Sequence, residues 1–192
     1  MVWWNTLRLK SNCPEVRRKA LESLNPTRDA RAFELLLASL GDEDAQVRCA
    51  AVKGLEQVRD DPSMIALATA LKDPNSEVRE AAAAVLGRVG DARTFPYLAG
   101  LLKDSHPGAR RSAAAALRSL GWKPSTSEEV ALFEVALGHA RAAAFEGQAA
   151  VKALVTELKH DTSFHRRAAA EALENVDDPR ATQPLQIGRA HV

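Results

Sequence analysis

The sequence of 192 residues has few aromatic side chains, few cysteines and almost no net charge. Its two cysteines, Cys13 and Cys49, are too few for a disulfide framework or a four-thiolate metal site. Basic and acidic side chains nearly cancel, to a net charge of +1, so the chain lacks the basic excess of a sequence-independent nucleic-acid binder. No apolar run approaches the about 18 residues of a membrane span, and the N-terminus lacks the apolar stretch of a signal peptide. We therefore expect a cytoplasmic protein that does not bind membranes.

Recognisable catalytic and metal-binding motifs are also missing from the sequence. The histidines do not stand at ligand spacing on one helix face, so we interpret them as surface or junction residues. Neither cysteine lies near the histidine or acid that would activate a nucleophile. No glycine-rich phosphate loop occurs. The sequence therefore predicts no catalytic residue, no metal and no cofactor.

What the sequence does contain is an internal repeat. Five segments align with one another: PEVRRKALESL, AQVRCAAVKGL, SEVREAAAAVL, PGARRSAAAAL and SFHRRAAAEAL. Their third residues follow at equal steps from Val16 through Val47 and Val78 to Ala109, and the last step, to His165, is nearly twice as long. Apolar residues at helical offsets predict an amphipathic helix in each segment, here named helix A. Each helix A closes on a leucine: Leu24, Leu55, Leu86, Leu117 and Leu173.

A second helix, named helix B, is predicted after helix A in each unit. Four units place an aspartate before a fresh apolar run, which is typical of a helix N-cap; these are Asp29, Asp60, Asp91 and Asp178. Since one helix pair cannot bury its apolar face alone, the pattern predicts an all-α fold, a right-handed α-solenoid of about five helix pairs. We expect one solenoid over 1–185, divided into a cap at 1–11, repeats at 12–42, 43–73 and 74–104, an expanded repeat at 105–161 and a truncated repeat at 162–185.

The expanded repeat contains an insertion that begins near Trp122. Either Ser125 with Glu128 or Thr126 with Glu129 has the spacing of a capping box, so a helix is predicted to follow, to about residue 137. A second short helix is predicted before residue 147, and helix B of this repeat then resumes. The insertion either pads the stack or forms a protruding site.

The first and last residues also depart from the repeat. Residues 1–11 match a helix B without its helix A, and we expect Trp3 and Trp4 to cover exposed apolar surface at that end. The last residues, IGRAHV, do not continue the final helix B, and they look like one reading frame of a sequencing-adapter oligonucleotide. We expect residues 186–192 to be non-native and the chain to be a fragment; a genuine divergent tail is the alternative.

An arginine follows the third position of every helix A: Arg17, Arg48, Arg79, Arg110 and Arg166. We expect these arginines to pair with the aspartates of the A–B turns in neighbouring units and so to set the stacking register. As exposed pairs they would contribute only about 0–1 kcal/mol each. Anion binding by the arginines is the alternative.

The recurrent pattern VRxxAAxAL, followed by Asp, Arg and PL, resembles the HEAT-like repeats grouped with the phycobilisome (PBS) lyases, over about residues 12 to 185. The segment from Leu120 to Gly138 is similar to an insertion seen in bacterial members. The resemblance implies protein binding through the solenoid surface, with chromophore lyase activity in a minority of members. HEAT-type di-iron hydroxylases hold their metals with repeated His-Glu dipeptides, and no such dipeptide occurs here.

Helical periodicity places one row of positions outward on each helix B, and this surface is the predicted binding site. Its members are Glu34, Ile65, Thr69, Lys72, Pro96, Gly100, Lys103, Lys152, Thr156 and Lys159. The surface is mildly basic, so an acidic peptide or helix could lie along it. A merely solvated face is the alternative.

The sequence thus favours a bacterial, non-catalytic scaffold that binds another protein or another domain of its own chain. The alternative is a subunit of a phycobilin chromophore lyase, in which case a bilin would be bound and a cysteine of the substrate protein would take it. A HEAT-type DNA glycosylase is less favoured, because it needs a basic groove with aromatic side chains.

Overall fold

The computed structural model of the protein describes residues 2–159, 163–176 and 178–181, and the side chains of residues 2 and 3 are outside this description. All the regular structure in these ranges is helical. The twelve α-helices, α1 to α12, are Val2–Arg8, Pro14–Glu22, Ala30–Ser39, Ala45–Gly54, Asp61–Ala70, Ser76–Val89, Phe95–Leu101, Pro107–Ser119, Ser127–Ala136, Ala140–Ala144, Gln148–Glu157 and Ser163–Glu174. The predicted α-solenoid class is therefore confirmed. The suspected non-native residues 186–192 lie outside the described ranges.

The chain divides into two compact units, residues 1–121 and 122–192. The first unit contains α1 to α8, and the second contains α9 to α12. In the first unit α2, α4, α6 and α8 are A helices, and α1, α3, α5 and α7 are B helices. The expected repeat boundaries within one solenoid over 1–185 stay a prediction.

The predicted helix starts are confirmed at the B helices. The side chain of Asp29 accepts a hydrogen bond from the backbone N–H of Arg31, and that of Asp60 accepts one from Ser63. The aspartates Asp91 and Asp178 accept in the same way from Arg93 and Arg180. Asp91 caps a turn of 3₁₀ helix, Ala92–Thr94, which leads into α7.

The A helices of the first unit pack directly on one another: α2 on α4, α4 on α6, and α6 on α8. A fully buried alanine recurs in them at the same position of every repeat, at Ala20, Ala51, Ala82 and Ala113. Small side chains let helix backbones approach closely. Gly87 shows how closely, because a Cβ atom added there would lie 2.7 Å from the Cβ of Ala116.

Each B helix of the first unit packs on the A helix that follows it, and α1 also contacts the next B helix, α3. Helix α3 contacts α4, α5 contacts α6, and α7 contacts α8, whereas α5 and α7 have few direct contacts. Leucines at the predicted positions fill the core between A and B helices; Leu36, Leu67 and Leu98 are fully buried. The B helices are therefore held by their inner faces, and space remains between neighbouring B helices at the surface.

Three arginine–aspartate pairs join successive repeats of the first unit, and we call them the Arg–Asp ladder: Arg17 with Asp42, Arg48 with Asp73, and Arg79 with Asp104. Each pair is bidentate, with Nε and Nη2 donating to the two carboxylate oxygens over 2.7 to 2.9 Å. The third guanidinium nitrogen, Nη1, donates to the backbone carbonyl six residues earlier, which for Arg48 and Arg79 is that of the preceding ladder aspartate. Each ladder aspartate therefore binds the arginines of two successive repeats. Its carboxylate accepts from one arginine and its backbone carbonyl from the next.

The predicted pairing of these arginines was wrong in its partner. The expected aspartates, such as Asp60 and Asp91, are committed to helix N-caps, and the arginines pair instead with the aspartate that ends each helix B, 25 residues later. The pairs are also not surface pairs, since their side chains are only 8 to 14% exposed. Arg110 donates to the carbonyls of Asp104 and Ser105 in the same way.

The ladder lowers the pKa of its aspartates. Burial by itself raises the pKa of Asp73, but hydrogen bonds from Arg48 and from the backbone N–H of Asn75 outweigh it and hold the pKa below its ordinary value. The same causes, in the same order, act on Asp42 and Asp104.

The second unit begins with the insertion. Thr126 caps α9 by accepting from the N–H of Glu129, and the Glu129 carboxylate accepts from the backbone N–H of Ser125, so the second of the two predicted boxes supplies the cap. The predicted short helix is α10, and α11 is the resumed helix B. Helices α9 and α12 pack around α10 and α11 through a core that includes Ala143, Leu154 and Leu173.

We expect Arg48→Met to lower the free energy of unfolding by about 2–3 kcal/mol, because it keeps the apolar stem but leaves the Asp73 carboxylate buried without its ion-pair partner. The matched control is Arg88→Met, which breaks an equally bidentate pair with Glu56 of the neighbouring repeat; these side chains are 52% and 36% exposed. For the control we expect at most about 1 kcal/mol. Urea denaturation measures both, and equal losses would contradict a special role for the ladder.

The ladder also predicts acid sensitivity. A carboxylate whose pKa is lowered in the folded state contributes stability that is complete above its unfolded pKa of about 3.9 and is lost as pH falls through the folded value. Asp73→Asn removes one such group, so the variant should be less stable at pH 6 but should lose less on acidification from about pH 4 to 2. Thermal unfolding across this range tests it; parallel pH profiles for variant and wild type would rule it out.

Candidate partner-binding surface

The structure places all ten predicted surface residues at exposed positions: Glu34, Ile65, Thr69, Lys72, Pro96, Gly100, Lys103, Lys152, Thr156 and Lys159. Seven lie on α3, α5, α7 and the turns that follow them, in the first unit. The other three lie on or just after α11 in the second unit. We call the first group, together with the other exposed residues of α1, α3, α5 and α7, the B-helix face. The role of these exposed residues in binding stays a prediction.

Small residues run across the B-helix face. Ala38, Thr69 and Gly100 occupy equivalent positions of three successive B helices, and all are exposed. A Cβ atom added to Gly100 would meet no heavy atom within 4 Å. The hydroxyl of Thr69 donates to the carbonyl of Ile65 in its own helix. The side chains of this small-residue track therefore project little from the surface, and a Cβ at Gly100 would lie in open space.

An apolar cleft of about 330 Å³ opens beside this track, between α5 and α7. Its walls are Ile65, which is 68% exposed, and Tyr97, which is 51% exposed, and the buried Met64 and Thr94 lie deeper. One side of the cleft is bounded by an ion pair between Asp61 and Arg93 at 2.9 Å. The cleft exists because α5 and α7 pack on different A helices and barely contact each other.

Tyr97 is the residue of this cleft that sequence reasoning missed. The periodicity argument selected Pro96, one position earlier, as the outward residue of α7. Both residues are exposed, but only Tyr97 lines the cleft. Tyr97 is the only tyrosine of the chain and directly precedes the buried Leu98. Its position next to this predicted core leucine is the sequence feature that could have identified it as a cleft residue.

Large exposed apolar side chains in the described part of the first unit lie only on B helices. They are Trp4 and Leu7 of α1, Ile65 of α5 and Tyr97 of α7, each more than half exposed. Helix α1 packs on α2 and α3, as expected of a cap. Trp4 nevertheless remains 59% exposed, so it covers less apolar surface than predicted. The Trp3 side chain lies outside the described part.

The exposed side chains of the A helices are mostly charged instead. On α2, Arg18 forms ion pairs with Glu15 and Glu22, and Lys19 also approaches Glu15. Helix α2 therefore presents a solvated, self-paired surface, whereas the B-helix face presents exposed apolar groups. Patches of this kind mark interaction sites.

The second unit has a cleft of its own, of about 380 Å³, between α10 and α12. Phe164 lines it and is exposed, and an ion pair between Arg141 and Glu171 at 2.8 Å spans it. Nearby, the ring of His139 binds Glu134 at 2.9 Å. This cleft depends on the insertion, so it is not a repeated feature.

Among the described residues, no three His, Cys, Asp or Glu side chains are grouped to hold a metal ion. Cys49 is buried in α4, and burial raises the pKa of its thiol, so its thiolate is disfavoured. Cys13 is exposed at the start of α2. None of the helices in the described ranges is long and apolar enough to cross a membrane.

Comparison with known proteins assigns the family. The profile of HEAT repeats matches residues 5–73 and 64–143, and the profile described as PBS lyase HEAT-like repeat matches residues 166–187. Because the first profile covers well over half of the sequence, the chain belongs to the HEAT-repeat family, and its last repeat is of the PBS lyase type. A comparison with curated proteins finds no match.

Solved structures share the fold at low sequence identity. A chain of the complex of CpcE and CpcF of phycocyanin lyase from Nostoc sp. PCC7120 is similar with a TM-score of 0.55 and 19% identity, covering 100% of this chain and 95% of that one. Human deoxyhypusine hydroxylase is similar with a TM-score of 0.50 and 18% identity, covering 97% and 88%. At these identities the likeness shows the architecture alone, a helical repeat scaffold.

Two helical glycines test the openness of the small-residue track. Gly100→Ala should raise the free energy of unfolding by about 0.5–1 kcal/mol, because alanine favours the helix and its Cβ meets nothing. Gly87→Ala gains the same propensity but forces Cβ into Ala116, so it should be destabilising by about 1–3 kcal/mol. Urea denaturation of both variants measures these changes. Destabilisation by Gly100→Ala would contradict open space above the track at this position.

Proposed function

We propose that the chain is a non-catalytic scaffold that binds another protein, or another domain of its own chain, along the B-helix face. The observation that carries the proposal is the placement of the exposed large apolar side chains. In the described first unit they lie on B helices alone, and two of them form the walls of the apolar cleft. A partner that covered Ile65 and Tyr97 would remove apolar area from water, at about 25 cal/mol per Å².

The architecture supports this function in a second way. Repeats stacked through their A helices form an extended row of B helices, and such rows suit the binding of elongated partners. The partner would contact equivalent positions on successive repeats, so small contributions from each repeat would add up along its length. The family alone does not choose among functions, because one fold serves many of them.

Peptides selected from a random display library on the wild-type protein test the proposal. For peptides that bind, Ile65→Ser combined with Tyr97→Ser should weaken binding at least about tenfold, which corresponds to about 1.4 kcal/mol. The matched control is Phe145→Ser, which removes a side chain that is 91% exposed in the second unit. Selected peptides that bind the double variant and the wild type equally would contradict docking on the B-helix face.

The second candidate is a subunit of a phycobilin chromophore lyase. The PBS lyase type of the last repeat and the similarity to a chain of the CpcE–CpcF complex favour it. In this function the protein would hold the chromophore and its acceptor protein, and neither Cys13 nor Cys49 would form the bond. A spectral titration with phycocyanobilin tests this candidate; an unchanged absorption spectrum would eliminate it.

A further inference from the structure

The cleft of the second unit, between α10 and α12, combines small residues with an exposed aromatic ring. Its lining includes Gly138, Ala140, Ala142 and Ala168, whose short side chains leave room between the two helices. Phe164 lines the same cleft with 73% of its surface exposed, although large apolar side chains are ordinarily buried. A mainly apolar cleft of about 380 Å³ with a few polar groups has the properties of a small-molecule site.

Two contacts show how α10 lies along α12. A Cβ atom added to Gly138 would lie 3.8 Å from Cε1 of His165, near the start of α12. Farther along both helices, Arg141 pairs with Glu171 at 2.8 Å. Phe164 therefore lies near one end of the cleft and this ion pair near the other, seven residues or about 10 Å away along α12. Because the ion pair crosses the cleft, an extended polypeptide could not pass along it, whereas a small molecule fits between the two ends.

The charges that line this cleft do not cancel. Glu171 is matched by Arg141, so this pair contributes no net charge. Arg167 lines the cleft and is exposed, and among the residues that the structure describes it forms neither a hydrogen bond nor an ion pair. It follows Phe164 by three residues on α12, so the two side chains share a helix face with about 5–6 Å between their Cβ atoms. The cleft therefore presents one uncompensated guanidinium beside an aromatic ring.

We infer that this cleft binds an aromatic carboxylate, a small molecule with one planar ring system and one carboxylate. The ring lies against Phe164, where contact between two rings adds to the apolar area removed from water. The carboxylate accepts from Arg167, whose planar fork of donors can bind both oxygens at once. The ring of His139 also lines the cleft, but its Nδ1 is bound to Glu134 at 2.9 Å, so Arg167 is the cation that selects the ligand.

The inference goes beyond the proposed function. Its site lies in the second unit and includes no residue of the B-helix face. The ligand is a small molecule, whereas the proposed function concerns a protein partner.

Titration of the isotope-labelled full chain with naphthaleneacetate, followed by the NMR shifts of backbone amides, tests the inference. We expect saturable shifts at Gly138, Ala142 and Ala168, with a Kd below about 1 mM for this ligand of about 14 non-hydrogen atoms. Naphthalenemethylamine reverses the charge and cyclohexaneacetate lacks the aromatic ring, so each should bind at least about tenfold more weakly. Equal binding of naphthaleneacetate and either analogue would overturn the inference, as would the absence of saturable shifts at the cleft between α10 and α12.

Substitutions at exposed positions, which should leave the fold intact, then locate the two contacts. Arg167→Gln should weaken naphthaleneacetate at least about tenfold but change the affinity for the uncharged naphthalenemethanol less than about twofold. Phe164→Ser should weaken both ligands. The matched control, Lys152→Gln, removes the same charge from an exposed position of α11 outside the cleft and should alter neither affinity more than about twofold. Equal losses in Arg167→Gln and Lys152→Gln would show a diffuse charge effect and would overturn the inference.

The outcomes separate this inference from the proposed function. The Ile65→Ser and Tyr97→Ser double variant, which should lose peptide binding, should bind naphthaleneacetate as tightly as the wild type does. If this double variant loses naphthaleneacetate, the ligand binds on the B-helix face and the inference fails. If naphthaleneacetate does not bind while display-selected peptides still require Ile65 and Tyr97, the proposed function stands and the aromatic carboxylate site fails.

Discussion

The stacking of the first unit depends on a buried arginine that holds two repeats at once. Arg48 binds the carboxylate of Asp73 with two nitrogens and the carbonyl of Asp42 with the third, and Arg79 repeats the arrangement one unit later. A planar guanidinium can do this because its donors form a fixed fork. Buried ion pairs are often no more stabilising than apolar packing of the same volume, so the main effect here is register: one arrangement gives each of the three guanidinium nitrogens of Arg48 an acceptor. The regular repeats share one length because each ladder arginine binds the aspartate 25 residues later in the chain.

The same ladder shapes the two surfaces of the unit. The A helices that the ladder joins pack on one another through buried alanines, and α5 and α7 are each held mainly by the A helix that follows. The apolar cleft between α5 and α7 is a consequence of that attachment. The ladder also draws the carboxylates of Asp73 and Asp104 inward at the C-terminal ends of those helices.

The insertion marks the limit of the regular stack. The step between the third residues of successive A helices is 31 in the regular repeats and grows to 56 from Ala109 to His165. From there the chain builds the second compact unit, in which α9 and α10 have no counterpart in the other repeats. Its core and its cleft are made by contacts particular to this unit, such as the edge-on contact of Trp122 with Phe133. HEAT-repeat membership describes the regular part of the molecule better than it describes this one.

The sequence by itself determined the helices, their order and which faces they bury, because these depend on local periodicity and on capping side chains near in the chain. The aspartate caps, the buried leucines and the exposed row from Glu34 to Lys103 were all available from spacing. Only the tertiary structure decided which aspartate each arginine binds, since two candidates stood in every repeat and the choice depends on how neighbouring helices approach. It also decided that Tyr97 rather than Pro96 lines a cleft. A cleft is a gap between two helices, so the sequence of one helix alone does not predict which residue borders it.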